Sequence, residues 1–279
     1  AFLDATGEAL AGILRLGNAG SNTTADHVDL LALALAQLPV DPERVEVVAR
    51  ADSAALTHGF VDACRDAQVR FSIGHDLTAP IRTACLAVPK RRWRPAVTAD
   101  GSDEREGAEV AEITDLVDLS RWPDGTRAIA RREEPHPGAQ LTFTDLDGHR
   151  FQVFITDQTD ADIAYLEALQ RGRGRAEKLI CHLKDTGLTN LPSADFAINA
   201  AWLTTTLIAH DLLAWTRRVA LDGDLARAEP KRLRYCLLHA AGQIARTGRR
   251  TRLRLASGWP WATDLVAAFD RVRILGLQT

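Results

Sequence analysis

Residues 170–188 read QRGRGRAEKLICHLKDTGL. Ala176, Leu179, Ile180 and Leu183 recur at helical spacing, and Arg173, Glu177 and Lys184 run beside them. At about 100° per residue the three charged side chains fall within about 40° of one another on one helix surface. They border the apolar arc, so an acid flanked by two bases stands at the edge of a buried face. The arrangement suits a divalent metal and a phosphate. It equally suits an ion pair of Glu177 with Arg173 or Lys178, worth about 0.3–0.5 kcal/mol.

The rest of the chain bounds the class of protein. With 279 residues, 46% of them hydrophobic, it can bury a full core in one large domain or two. A net charge of −3 carries no global signature of a nucleic-acid binder. The basic residues nevertheless cluster, at Lys90–Arg94 and at Arg249, Arg250, Arg252 and Arg254, against an acidic run from Asp100 to Glu112. Cys64, Cys85, Cys181 and Cys236 include no CxxC pair, so they read as small buried residues in a reducing cytoplasm. No stretch approaches the ~18 apolar residues of a membrane span, and no signal peptide is visible. The chain has no methionine and opens on AFLDATGEAL, which reads as a strand already under way and suggests a fragment.

The expected fold class is α/β. Residues 1–3 and 9–16 suggest an antiparallel hairpin turning at Thr6-Gly7. A helix over 26–37 follows, then a strand at 45–49 buried on both faces, a helix at 56–67 and a strand at 69–73. That alternation is the rhythm of parallel pairing. From about residue 76 to 155 the pattern turns β-rich, with runs at 81–88, 125–131, 140–145 and 150–155 and a hairpin signal at Asp147-Gly148. Helical periodicity resumes near 160. Ser193 can cap a segment over 194–219 that is apolar nearly all round and should be buried. A further helix is expected at 231–246, then a strand whose one face is Arg250, Arg252 and Arg254.

Asp52 lies where the strand at 45–49 runs out into a loop, the edge at which open α/β sheets bind ligands. It could equally cap the helix that follows. Two carboxylates, Asp52 and Glu177, could share a hard divalent cation such as Mg²⁺ or Mn²⁺.

In these residues the chain resembles the ribonuclease-H-like DDE transposases of bacterial insertion sequences, in the subgroup with a Tyr-Arg-Glu-Lys signature. Arg173, three residues, Glu177, six residues and Lys184 reproduce the signature's spacing, with Gln170 standing at the Tyr position. FLDATGEAL with LRLGNAGSN resembles the second and third strands of that fold, and ARADSAALT the segment bearing the second catalytic Asp. The likeness implies a ribonuclease-H-like core over 1–75 and 156–220, a β-rich insertion over 76–155, and a helical, basic C-terminal part over 221–279. The family's first Asp would lie upstream of residue 1, since Asp4 sits in a turn.

The resemblance further implies an enzyme, a metal-dependent endonuclease that cuts and joins DNA by two-metal phosphoryl transfer. Asp52 and Glu177 would be the metal ligands, while Arg173 and Lys184 would hold phosphates near the scissile bond. Lys184 is one of only four lysines. Implied partners are transposon-end DNA with its terminal inverted repeats and target DNA, engaged by a homodimer in the bacterial cytoplasm at the nucleoid. Arg250, Arg252 and Arg254 form a candidate DNA-contacting face. The alternative is a transposase-derived remnant that binds DNA without chemistry. Trp259 and Trp261 read as core anchors, and His182 as exposed on the far side of the Glu177 helix.

Overall fold

A computed structural model describes residues 1–20, 23–135 and 145–276. The chain divides into two compact units, one of residues 15–175 and the other of residues 1–14 with 176–279.

The first unit is built on a mixed sheet. Its strands are β1 (Val48–Ala51), β2 (Arg70–His75), β3 (Arg94–Val97), β4 (Glu104–Glu112), β5 (Arg127–Glu133), the short β6 (Asp145–Leu146) and β7 (His149–Thr156). They are hydrogen-bonded in the order β1-β2-β7-β5-β4-β3, with β6 hairpinned onto β7 through Asp147-Gly148. The β1–β2 pair is parallel and the other pairings are antiparallel. The expected strand at 45–49 is displaced. Val45 is exposed, β1 begins at Val48, and it is half-buried because it lies at the end of the sheet. Part of the expected strand at 140–145 lies outside the described residues.

Alternation along the strands sorts the two faces of the sheet. Phe71 and Ile73 of β2, Ala128 and Ala130 of β5, and Phe151, Val153 and Ile155 of β7 face one side. There they meet α2 (His58–Asp66) through Phe60, Val61 and Cys64, and α3 (Ala79–Ala87) through Ile81, Ala84 and Cys85. Each fully buried Phe, Ile or Val adds about 1.5–3 kcal/mol. The segment 81–88, expected as a strand, is therefore mostly helix. Pro80 pre-sets the first turn, and burial at i, i+3 and i+4 sets the period. A further helix, α1 (Thr24–Leu35), precedes β1.

The opposite face takes α4 (Ile163–Arg171), whose Ile163, Ala164 and Leu166 cover Ile129, Phe154, Val110 and Ala108. Asp162 caps α4, its Oδ1 accepting from the amides of Ala164 and Tyr165 at 3.0 and 3.2 Å.

In the second unit, α5 (Arg175–Leu183) carries the chain in from the first. The long α6 (Phe196–Trp215) follows, capped by Asp195 rather than Ser193, because the Asp195 carboxylate accepts from the amides of Ala197 and Ile198. Ser193 Oγ accepts instead from the Asp195 amide. Contrary to expectation α6 is not buried all round: Phe196, Ile198, Ile208, Leu212 and Trp215 are exposed. The short helices α7 (Gly223–Ala226) and α8 (Pro230–Leu233) pack Leu225 and Leu233 with Leu221, Ala228 and Cys236 into a small core.

The helix expected at 231–246 ends at Leu238. Residues Gly242–Thr247 form β8, paired antiparallel with β9 (Arg250–Leu255), which bears the expected arginine face. The last helix is α9 (Ala262–Leu275). Near residue 1 the expected hairpin is reduced to one antiparallel bridge, Phe2 to Ala9. Three of the cysteines are buried, and Cys181 is exposed. No helix among the described residues is long and apolar enough to cross a membrane.

Candidate active site

Asp52 follows directly on β1 and its side chain is exposed. Its Oδ1 accepts from the Ala54 amide at 3.1 Å, which caps the short 3₁₀ turn Ser53–Ala55. The capping role weighed from sequence is therefore met by one carboxylate oxygen. Gly74, on the neighbouring strand, lets the chains close here. A Cβ at that position would stand 3.2 Å from Ser53 N and 3.6 Å from Asp52 Cα.

Two side chains tie the end of α4 to this strand end. Gln170 Nε2 donates to the Ala51 carbonyl at 3.0 Å, and the Arg50 guanidinium donates to the Leu169 carbonyl. Gln170, at the Tyr position of the signature, thus holds the backbone beside Asp52.

Asp52 lines a cleft of about 600 Å³ on the α4 side of the sheet. Five arginines, Arg105, Arg131, Arg150, Arg171 and Arg173, line it against three carboxylates, Asp52, Asp76 and Glu167. Arg131 lies on this face because it alternates with Ala128 and Ala130 on β5. Glu167 lies on it because it extends the inward stripe of Ile163 and Leu166 along α4. Glu167 is 3% exposed, and its Oε1 sits 3.5 Å from Arg131 Nε and 3.3 Å from Arg171 Nε. Burial pushes the Glu167 carboxyl above its ordinary range against the pull of Arg131 and Arg171. Burial likewise lowers Arg131, opposed by Glu167 and Glu133. Arg131 Nη2 donates to Gln152 Oε1 at 2.6 Å, and Arg105 pairs with Glu133.

The signature residues are distributed as follows. Arg173 sits in a 3₁₀ turn, Gly172–Gly174, between α4 and α5, and lines the Asp52 cleft. Glu177 is exposed in the first turn of α5. Lys184 is exposed at the start of a wider π-helical turn, Lys184–Leu188. Rotation per residue changes at both joints, so a uniform 100° does not describe the run. Glu177 and Lys184 belong to the second unit, whereas Asp52 and Arg173 belong to the first.

The KDTGL turn has its own local logic. Gly187 adopts φ +151°, and its carbonyl accepts from Trp202 Nε1 at 3.0 Å, with the indole 3.1 Å from where a Cβ would stand. Asp185 pairs with Lys231 Nζ at 2.8 Å. His182, expected exposed, is 7% exposed, packed 6.4 Å from the His210 ring. Burial lowers its pKa. Arg250, Arg252 and Arg254 are all exposed. Among the described residues no group of three or more His, Cys, Asp or Glu gathers as a metal cage.

A family model described as transposase DDE domain group 1 matches residues 1–277. The chain belongs to this family. A search of curated proteins found no match. For this transposase-family chain, Asp52 and Arg173 are the two sequence-selected residues that share one cleft within one unit.

Arg105, Arg131, Arg150, Glu167 and Arg171 were missed from sequence. A signal existed for Glu167, a carboxylate on the apolar stripe of an amphipathic helix, a position charged residues avoid unless paired.

Proposed function

We propose that the chain is catalytic-domain sequence of an insertion-sequence transposase, cleaving transposon-end DNA and joining it to target DNA. The match to the DDE transposase family across residues 1–277 carries the reading. On it, residues 1–75 and 156–220 form a ribonuclease-H-like core in the Tyr-Arg-Glu-Lys subgroup. Residues 76–155 are the β-rich insertion and 221–279 a basic C-terminal region. A homodimer would hold the two ends.

Asp52 and Glu177 would hold Mg²⁺ or Mn²⁺. The donor chemistry fits, since both are exposed carboxylates and hard cations take oxygen ligands. When bound, such ions supply an activated water or 3′-hydroxyl and stabilisation of the leaving oxygen. The protein's part is positioning. The Ala54 amide fixes the Asp52 carboxylate, and Gln170 fixes the strand end behind it. Arg173 would present a planar fork to a phosphate, and Lys184 a point charge.

Nicking of supercoiled plasmid in Mn²⁺ tests this. Asp52→Asn and Glu177→Gln should each abolish nicking and weaken Mn²⁺ binding, with unchanged thermal unfolding. Nicking at the wild-type rate by either variant removes that carboxylate from the site. Wild-type protein that binds DNA and Mn²⁺ but never nicks would favour the non-catalytic remnant.

A further inference from the structure

We infer that α6 is a self-association surface, on which two copies of this chain pair antiparallel about a two-fold axis at Ile208. The inference goes beyond the transposase reading, which calls for a dimer on DNA and names no surface for one.

The helix is covered on one face and bare on the other. Asn199, Leu203, Thr206, His210 and Ala214 are buried on the inner face. At about 100° per residue, Ala197, Ala201, Thr204, Ile208, Leu212 and Trp215 all point within about 40° of the opposite direction. All six are exposed, Ile208 at 57% and Leu212 at 54%. No exposed residue from Phe196 to Trp215 is charged. The polar groups on this side already have partners. Thr204 and Thr205 Oγ1 donate to the Ala200 and Ala201 carbonyls at 3.2 and 2.9 Å, so both hydroxyls are satisfied within their own helix. Asp211, the charge nearest the row, accepts through Oδ1 from the Ala9 amide at 2.7 Å. A helix apolar on all sides belongs in an interior, so the outer face calls for a cover.

The order of side-chain sizes along that face selects the cover. Outward from Ile208 the row steps by 4, 3 and 4 residues in both directions, to Thr204, Ala201 and Ala197 one way and to Leu212, Trp215 and Val219 the other. Val219 continues the row in the π-helical turn Thr216–Ala220 and is exposed. The N-terminal half is small and the C-terminal half is large. An antiparallel second copy therefore sets Trp215 over Ala201, Leu212 over Thr204 and Ile208 over Ile208, so that large side chains fill the space small ones leave. Parallel pairing would set Trp215 on Trp215 and Ala201 on Ala201, crowding one end and leaving a gap at the other. Only a second copy offers the same row in reverse, so the symmetry of the row names its partner. The indole is held from behind, since Trp215 Nε1 donates to Glu8 Oε1 at 2.5 Å. A row of about 30 Å on a helix about 10 Å across makes a small interface, of the size that associates reversibly.

The test is sedimentation velocity of the full chain without DNA, from roughly 2 to 200 µM, beside thermal unfolding. Wild type should pass from the mass of one chain to that of two across this range. Ile208→Glu sets two carboxylates against each other at the axis and should raise the dimer dissociation constant at least about a hundredfold. A201W and W215A should each weaken the dimer about tenfold, by crowding and by a void, and A201W/W215A, which exchanges the two sizes, should regain most of the loss. Wild type that stays monomeric at about 200 µM overturns the inference. So does I208E that dimerises at the wild-type constant, or A201W/W215A no tighter than either single variant, which refutes the register. A fall of more than about 5 °C in the unfolding midpoint of dilute I208E also overturns it, by showing that the face is covered within one chain. Dimers that form only on adding DNA overturn it and leave the transposase reading intact. Dimers of a wild-type chain that never nicks uphold it while counting against that reading.

Discussion

Two sets of arginines in this chain obey different physics. Arg131 and Arg171 are sunk against Glu167 between α4 and the large sheet. Arg250, Arg252 and Arg254 stand on β9 of a two-stranded hairpin, where they are all exposed. In the first region each charge has lost water and depends on a carboxylate. In the second, water and salt screen each charge, and the hairpin backbone alone spaces them. A guanidinium is a rigid, costly donor in one place and a cheap, diffuse one in the other. Positive charge by itself therefore says little about what a surface holds.

The largest effect should come from breaking the buried set. Glu167→Ala leaves Arg171 without its buried partner and Arg131 with Glu133 alone, and unfolding free energy should fall by about 3 kcal/mol. Urea denaturation at neutral pH measures this. E167L/R131M, which removes charge of both signs, should recover much of the loss, since apolar replacement of a buried pair is often neutral. A Glu167→Ala variant within about 0.5 kcal/mol of wild type would make the cleft floor as screened as the hairpin, and the contrast would collapse.

A milder break uses pH. Glu112 on β4 takes a bidentate contact from Arg127, at 3.0 and 2.9 Å, and a hydrogen bond from Thr114 Oγ1 at 2.9 Å. The Arg127 hydrogen bond first, and Thr114 after it, hold its pKa below the ordinary carboxylate value. The unfolded chain then binds the proton more readily, so this stabilisation is complete above about pH 4.3 and is lost as pH falls through the folded value. Glu167 has the opposite sign. Its raised folded pKa makes its contribution decline as pH rises from the ordinary glutamate value. Glu112→Gln should cost about 1 kcal/mol at pH 7 after discounting for solvent, and progressively less below pH 4. Stability curves of the two proteins that stay parallel down to pH 3 would refute the Arg127 attribution.

The contrast also explains what could be read from sequence. The arginine face of β9 follows from the alternation of Arg250, Arg252 and Arg254 with Thr251, Leu253 and Leu255, a local period, and it appears as expected. So does Asp52 at a strand end. Glu167 and Arg131 meet only because β7 lies between β2 and β5, a pairing across some eighty residues that no local period encodes. The helix at 79–87 hid for a related reason: the run IRTACLAV suits a strand by composition, and burial against the sheet chose the helical period. His182 was placed on an exposed face by assuming one uniform helix around Glu177, whereas α6 packs over it. The Arg173–Glu177–Lys184 spacing was legible as a motif, but its 3₁₀ and π turns were not, because they depend on side chains such as Trp202 that lie elsewhere.

The smallest effect on stability belongs to the hairpin. Replacing Arg250, Arg252 and Arg254 together by Gln removes three exposed charges that rest on no core, so unfolding free energy should change by no more than about 0.5 kcal/mol. Duplex affinity should nonetheless fall, and the salt slope should flatten by up to about 2.7 if each arginine displaces one counterion. The loss should shrink toward zero above about 0.5 M salt, where exposed charges are screened within a few ångströms. A triple variant with wild-type affinity at low salt would strip β9 of any part in DNA binding. A triple variant that binds weakly at every salt would show that the hairpin arginines act through fixed contacts to DNA rather than as screened charge.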